Sequence, residues 1–177
     1  MLSGYVTSTI SRDAGYDFLA LGRSLERADM TARLLAAAVS TPLREDDWVT
    51  TLRACSAHEA YLRSYQRGIT SRLALEFLLL DRLFPRSVLH ALTVGEESLA
   101  RIDPSSGRTG GLGDDARRII GRVRTDLEFL PLSQLLEGLP ERLHRIQRGM
   151  SEVSEAVARR YFATSAVLGW TLEEAER

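Results

Sequence analysis

The sequence of 177 residues predicts an all-α fold, an up-and-down bundle of about five to six helices. Apolar residues recur at alternating spacings of three and four along most of the chain, which is the period of helices buried on one face. The alternation of apolar and polar residues that is typical of strands does not recur. The segments between the helical patterns are short, which favours antiparallel neighbours.

The first predicted helix, near residues 13–40, has the clearest pattern. Its apolar stripe comprises Phe18, Leu21, Leu25, Ala28, Ala32, Leu35 and Val39. The stripe is complete without the charged residues on its flanks, which are Arg23, Glu26, Arg27, Asp29 and Arg33. Asp29 and Arg33 have the spacing of an i,i+4 ion pair, but such a pair stabilises a helix by only about 0.2–0.5 kcal/mol. Helix stability does not require these charges, and we interpret them as a candidate binding face.

The next two predicted helices are separated near Gly68. Asp46 or Asp47 is the expected cap of the second helix, whose stripe comprises Trp48, Leu52, Cys55, Glu59 and Leu62. Thr70 is the expected cap of a short third helix. Residues 73–80 of this helix are apolar on nearly all sides, which predicts a central position in the bundle.

Two glutamates in these helices have apolar sequence neighbours. Glu59 lies on the apolar stripe of the second helix, and Glu76 interrupts the third. A buried carboxylate requires a partner or a raised pKa. One interpretation is an internal network with arginines such as Arg23, Arg33 or Arg86, and the other is a polar pocket for a substrate.

The junction at residues 81–87 is a second candidate site. Pro85 is expected at the first position of the fourth helix, which would leave the backbone N–H groups of Arg86, Ser87 and Val88 available to an anion at the positive end of the helix dipole. The alternative is a capped turn in which Arg86 pairs with an acid. The stripe of the fourth helix comprises Val88, Leu92, Gly95, Leu99 and Ile102, and its glycine predicts a close helix contact.

The rest of the chain predicts a linker, two helices and a tail. Residues 103–113 are rich in glycine and form the expected flexible linker. Asp114 or Asp115 is the expected cap of the fifth helix, and the last helix begins at Pro140 after a short turn. Their stripes comprise Ala116, Ile119, Val123, Leu127 and Leu130, and Leu143, Ile146, Met150, Val153 and Val157. We predict one domain over residues 1–164 and a tail over residues 165–177.

Composition excludes several kinds of chemistry. All basic residues are arginine, so the chain has no lysine nucleophile, and the single cysteine, Cys55, excludes an intrachain disulfide and is expected to be a buried thiol. With 23 basic and 24 acidic residues, no overall charge favours nucleic acid. No apolar run approaches the roughly 18 residues of a membrane span, and we expect a cytoplasmic protein. One Glu-x-x-His spacing, at Glu141–His144, falls short of the two that a di-iron bundle uses, so neither a metal nor another cofactor is expected.

Three segments together resemble the bacterial alpha-E domain family. They are residues 18–33, with Leu-Gly-Arg and Leu-Glu-Arg-Ala, residues 57–61, and residues 76–88, with Leu-Leu-Leu-Asp and the following proline. The resemblance covers about residues 10–163. It implies an all-helical protein encoded beside, or fused to, circularly permuted ATP-grasp ligases, often near transglutaminase-like or proteasome-like peptidases, and a role in making or modifying a small peptide. It implies no established catalytic residue.

Members of that family usually have two related halves, and this chain resembles the second. If each half covers the other, a lone half exposes an interface. We therefore expect a homo-oligomer, or pairing with a separately encoded first half, in addition to a suspected ATP-grasp-type ligase partner.

These observations leave three function classes. The favoured one is an accessory domain that binds a ligase partner or its peptide substrate. The second is an enzyme whose acid and base come from the clustered carboxylates, and the third is a structural, self-assembling bundle. The candidate binding residues are Arg23, Glu26, Arg27, Asp29, Arg33, Glu59, Glu76, Asp81, Arg86 and Ser87.

Overall fold

The computed structural model describes residues 13–40, 45–104 and 115–162. These residues contain eight α-helices and no strand, which confirms the all-α prediction. The helices are α1 (Ala14–Val39), α2 (Glu45–Ala54), α3 (His58–Tyr65), α4 (Ser71–Leu80), α5 (Val88–Ile102), α6 (Asp115–Glu128), α7 (Leu132–Leu136) and α8 (Leu139–Val157). A short π-helical segment, Ala158–Phe162, continues α8.

The four longest helices form the bundle. Helix α1 packs against α5 and α8, and α6 packs against the same two helices. Contacts between the beginning of one helix and the end of another show that neighbours run antiparallel. Asp17 near the start of α1 pairs with Arg101 near the end of α5 (2.8 Å). Arg82, just before α5, pairs with Glu128 at the end of α6 (3.0 Å). The ring of Phe18 in α1 contacts that of Tyr161, which follows α8, with 5.1 Å between centroids. The up-and-down arrangement is therefore confirmed.

Two glycines allow the helices of the bundle to approach closely. A Cβ atom added at Gly95 on α5 would lie 2.7 Å from Cδ1 of Ile120 on α6. One added at Gly149 on α8 would lie 2.9 Å from Cγ2 of Val123 on α6. The close contact predicted at Gly95 is confirmed, and Gly149 makes a second one that the sequence analysis did not identify.

The apolar stripes predicted for α1, α5 and α8 lie inward. Some of the predicted helix starts agree with the structure and others do not. Thr70 accepts a hydrogen bond from the N–H of Leu73 (3.3 Å), and Pro140 lies in the first turn of α8, as predicted. Helix α2 instead begins at Glu45, so Asp46 and Asp47 lie within its first turn. Asp115 is the first residue of α6. Asp114, residues 105–113 of the expected linker and the tail at 165–177 lie outside the described residues.

The single helix predicted from Asp46 or Asp47 to Gly68 is wrong. It breaks between α2 and α3, where Ser56 has a φ of 52°, in the left-handed region that does not continue a helix. The N–H of Ala57 reaches back to the carbonyl of Leu52 (2.8 Å), which closes the turn. The break changes the helical register, so α3 buries Tyr61 instead of the predicted Glu59. The predicted turn before Pro140 also contains a helix, α7, which raises the number of helical segments above the expected five to six.

Helix α4 is buried on most sides, as the sequence predicted, but the predicted central position in the bundle is wrong, because α4 packs beside the four long helices, against α2, α5 and α6. Five of its residues are buried, namely Ala74, Leu75, Phe77, Leu78 and Leu79. The Phe77 ring contacts Tyr61 of α3 edge to face, with 5.7 Å between centroids, and stacks on Phe84 beyond α4, with 5.0 Å. These contacts join the smaller helices to the turn before α5 and thereby position that turn beside α1.

Candidate functional site

One side of α1 borders an open cleft of about 360 Å³, which we call the α1 cleft. Its opposite wall is formed by the end of α2 and by the turn between α4 and α5. The lining residues are Arg23, Glu26, Arg27, Met30, Thr31 and Leu34 of α1, Ala54 and Cys55 at the end of α2, and Arg86 of the turn. Four of the ten predicted site residues, Arg23, Glu26, Arg27 and Arg86, therefore meet in one place.

The α1 cleft has an excess of positive charge. Three arginines and one glutamate among its lining residues give a formal net charge of +2. None of these four side chains forms an ion pair with another described residue. Guanidinium groups donate two parallel hydrogen bonds to carboxylate or phosphate, so this cleft is suited to an oxyanion.

The turn that carries Arg86 is held to α1 by a hydrogen bond. The hydroxyl of Thr31 donates to the carbonyl oxygen of Arg86 at 2.9 Å, and Thr31 is only 4% exposed. Within the turn, Oδ1 of Asp81 accepts hydrogen bonds from the N–H groups of Leu83 (2.9 Å) and Phe84 (2.7 Å). These bonds hold the backbone before Arg86 and at its carbonyl, and the Arg86 side chain lines the cleft from the wall opposite α1.

The prediction that the fourth helix begins at Pro85, which placed the backbone N–H groups of Arg86, Ser87 and Val88 at a helix start, is wrong. Helix α5 begins at Val88, not at Pro85, because Ser87 is its N-cap and accepts a hydrogen bond from the N–H of His90 (3.1 Å). Ser87 is fully buried, its hydroxyl donates to the carbonyl of Asp81, and its N–H donates to the carbonyl of Phe84. Asp81 and Ser87 thus stabilise the turn, whereas Arg86 can contact a ligand through its side chain.

Asp29 and Arg33 lie outside the α1 cleft and pair with each other. Nε of Arg33 is 2.7 Å from Oδ2 of Asp29, which raises the pKa of Arg33 through the hydrogen bond and the opposite charge. Asp29 borders a second cleft of about 250 Å³ between α1 and α8, together with Glu26, Ser151 and Ser154. The predicted i,i+4 pair therefore exists, and Glu26 is the residue shared by the two clefts.

Glu59 and Glu76 do not join the other candidates. Glu59 is 82% exposed at the start of α3, where its Oε1 is 3.2 Å from Nδ1 of His58, so the prediction of a buried Glu59 is wrong. Glu76 is half-buried, and its charge acts on Tyr61 and Tyr65 of α3. Burial, together with the charges of Glu76 and Asp81, raises the pKa of Tyr65 to about 12.

Cys55 is a cleft residue that the sequence analysis did not select. It was expected to be a buried thiol, and it is only 2% exposed. Burial raises the pKa of Cys55 to about 11, although the nearby charge of Arg86 acts in the opposite direction. Cys55 lies at the edge of the cleft because α2 ends at Ala54. The sequence pattern predicted a helix that continues past Cys55 and so did not indicate this position.

The described ranges 13–40, 45–104 and 115–162 contain no group of three side chains that could hold a metal ion. No helix within these ranges is both long and apolar enough to cross a membrane.

Comparison with protein families identifies a match over most of the chain. The family model Alpha-E, described as a predicted alpha-helical domain with a conserved ER motif, matches residues 1–162. No curated protein and no solved structure matches the chain. Glu26 and Arg27 form a Glu-Arg dipeptide within the matched range, and both side chains line the α1 cleft.

Proposed function

The chain belongs to the Alpha-E family, and from this premise we propose that it is a cytoplasmic binding domain that works with an ATP-grasp-type ligase in a peptide-ligation or peptide-modification system. The observation that supports this proposal is the α1 cleft. Three arginines from two walls of the cleft point to an anionic partner surface or substrate, since none of them forms an ion pair with a described acid.

The contacts favour binding over the two alternatives. An acid–base enzyme needs two carboxylates that converge on one substrate, whereas Glu26 is the one carboxylate among the described residues that line the α1 cleft. Asp29 and Glu26 do share the second cleft, but Asp29 is engaged by Arg33. A purely structural role would have the motif charges pair with each other, and within the described residues only Asp29 and Arg33 do so.

The test is a pull-down of the folded chain from its native lysate, with bound proteins identified by mass spectrometry. Wild type is compared with Arg27→Ala and Arg86→Ala, and Arg72→Ala is the matched control because Arg72 is an exposed arginine outside the cleft. We expect an ATP-grasp-type ligase to be captured by wild type and control and to be lost in both cleft variants. Circular dichroism verifies that each variant is folded. Failure to capture a ligase, or equal capture by all four proteins, would refute the proposal.

We also propose that the chain pairs with a second copy of itself. Two large apolar side chains, Leu83 and Phe129, are 87% and 74% exposed. The ion pair between Arg82 and Glu128 (3.0 Å) places these neighbouring residues at the same end of the bundle. Such a patch is self-complementary around a twofold axis, because the apolar residues of two copies can pack while their ion pairs flank them.

Sedimentation at micromolar concentration tests this pairing. We expect a dimer for wild type and a monomer for the double variant Leu83→Ser, Phe129→Ser. A monomeric wild type would refute self-association, and a heterodimer with a separately expressed first-half Alpha-E protein would then identify the alternative partner.

A further inference from the structure

We propose that the α1 cleft binds the α-carboxylate end of an amino acid or a peptide, with the arginines on the carboxylate and Glu26 on the adjacent N–H group. This inference specifies the ligand of the cleft used in the proposed function, but it does not depend on the identity of the ligase. It rests on the arrangement of charges, on the apolar part of the lining and on the size of the cleft.

The arginines approach from two directions. Arg23 and Arg27 are one helical turn apart on the same side of α1, so their side chains are neighbours. Arg86 comes from the turn on the other wall, which the hydrogen bond from Thr31 holds in place. A carboxylate between the walls can accept hydrogen bonds from guanidinium groups on both sides, which is the geometry that favours arginine over other cations.

Glu26 distinguishes this ligand from a simple anion. The charge of a phosphate or sulfate would be repelled by the Glu26 carboxylate, and sulfate would also leave Glu26 without a donor. An amino acid or peptide end carries an N–H donor next to its carboxylate, and Glu26 can accept that hydrogen. The lining thus offers a partner to both the carboxylate and the N–H group of one ligand.

The remaining lining accommodates an apolar substituent. Met30, Leu34, Ala54 and Cys55 form the apolar part of the cleft, and Met30 is 51% exposed. Methionine adapts its flexible side chain to ligands of different shape. The volume of about 360 Å³ is near the lower end of small-molecule sites, which run from about 300 to 1,000 Å³, so the cleft suits about one residue.

Isothermal titration calorimetry on the full chain tests the inference without any partner. The ligands are acetyl-Ala-Leu with a free carboxylate, the same peptide as its C-terminal amide, free leucine, and inorganic phosphate. We expect the peptide acid or free leucine to bind at least about tenfold more tightly than the amide and than phosphate. Tighter binding of the peptide acid identifies a peptide end as the ligand, and tighter binding of leucine identifies a free amino acid.

Variants then assign the contacts. Arg86→Gln should weaken binding of the acid about tenfold or more, Arg72→Gln should leave it unchanged, and Glu26→Gln should weaken it less than Arg86→Gln. Equal binding of acid and amide by wild type would overturn the inference even if a variant failed to fold. Tighter binding of phosphate than of acid and leucine, or no effect of Glu26→Gln, would also overturn it. If the ligase is captured but the peptide acid is not preferred over its amide, only the assignment of the cleft ligand is refuted. If the peptide acid is preferred but no ligase is captured, only the proposed ligase partner is refuted.

Discussion

The hydrogen bond from Thr31 to Arg86 predicts a measurable cost for Thr31→Val. Thr31 lies inside α1 and is 4% exposed, and its hydroxyl donates to the Arg86 carbonyl at 2.9 Å. Threonine and valine have similar shapes and similar helix propensities, so the substitution mainly removes the hydroxyl. The bond itself contributes about 0.5–1.5 kcal/mol, and an unsatisfied buried acceptor costs about 1–3 kcal/mol.

Because the Arg86 carbonyl is only partly buried and water can replace part of the lost interaction, we expect the free energy of unfolding to fall by about 1–2 kcal/mol. In a domain of this size, that corresponds to a decrease in Tm of about 2–8 °C. Urea unfolding followed by circular dichroism measures the free energy, and calorimetry measures Tm. The matched control is Thr125→Val, because Thr125 is exposed on α6 and its substitution should change stability by less than about 0.5 kcal/mol.

The same substitution has a consequence for the α1 cleft. If the bond positions the turn, Thr31→Val should weaken the binding of the peptide acid although it removes no charge. Equal stabilities of Thr31→Val and Thr125→Val would refute the reasoning, since they would show that the bond does not contribute to holding the turn on α1.

Three further predictions concern packing and ionisation. Gly22→Ala should raise the free energy of unfolding by about 1 kcal/mol, because nothing lies within 4 Å of the added Cβ. Gly149→Ala should give no gain or a loss, since its Cβ would lie 2.9 Å from Cγ2 of Val123. Equal gains for the two variants in urea unfolding would contradict the close contact of α6 and α8. Alkylation of Cys55 in the folded chain should be slow and should accelerate as pH rises toward the Cys55 pKa of about 11, because the thiolate is the reactive form. Rapid alkylation of the folded protein near about pH 8 would disprove the burial of Cys55. Tyr65 has a folded pKa of about 12 against the usual 10.0, so its contribution to stability is present below about pH 10 and is lost as pH rises toward 12. When the free energy of unfolding is measured across that pH range, Tyr65→Phe should show a smaller loss than wild type. An identical pH profile for the two proteins would count against the shift.

The fold was predictable where a periodic pattern was long and uninterrupted. The stripes of α1, α5 and α8 lie inward, and Gly95 makes the predicted close contact, because helical period and burial are encoded in the order of residues. The second helix was not predictable in the same way. Its stripe continues past Cys55, but Ser56 adopts a left-handed conformation, and nothing in its residue type requires that.

The candidate site shows the same contrast between residues chosen from a local pattern and residues whose place depends on where helices begin and end. The sequence made Arg23, Glu26 and Arg27 candidates because their charges exceed what a stable α1 requires, and the structure places all three in one cleft. It assigned the wrong role to Ser87, since the point at which α5 begins depends on competing caps, and Ser87 forms the cap two residues beyond Pro85. Glu59 was misplaced because a break of three residues rotates everything that follows it around the helix axis.

By itself, then, the sequence determined the all-α class, the family and the charged motif helix, since these depend on local periodicity and on residue identity. Only the tertiary structure decided which charges share a cleft. Arg86 is more than fifty positions from Thr31, and it reaches the α1 cleft because a buried hydroxyl of α1 holds the carbonyl of its turn. Asp29 and Arg33, although closer to Arg27 in sequence, project from another side of the same helix and neutralise each other. The physical reason is that helical geometry fixes the direction of each side chain, whereas the packing of distant helices fixes which side chains face it.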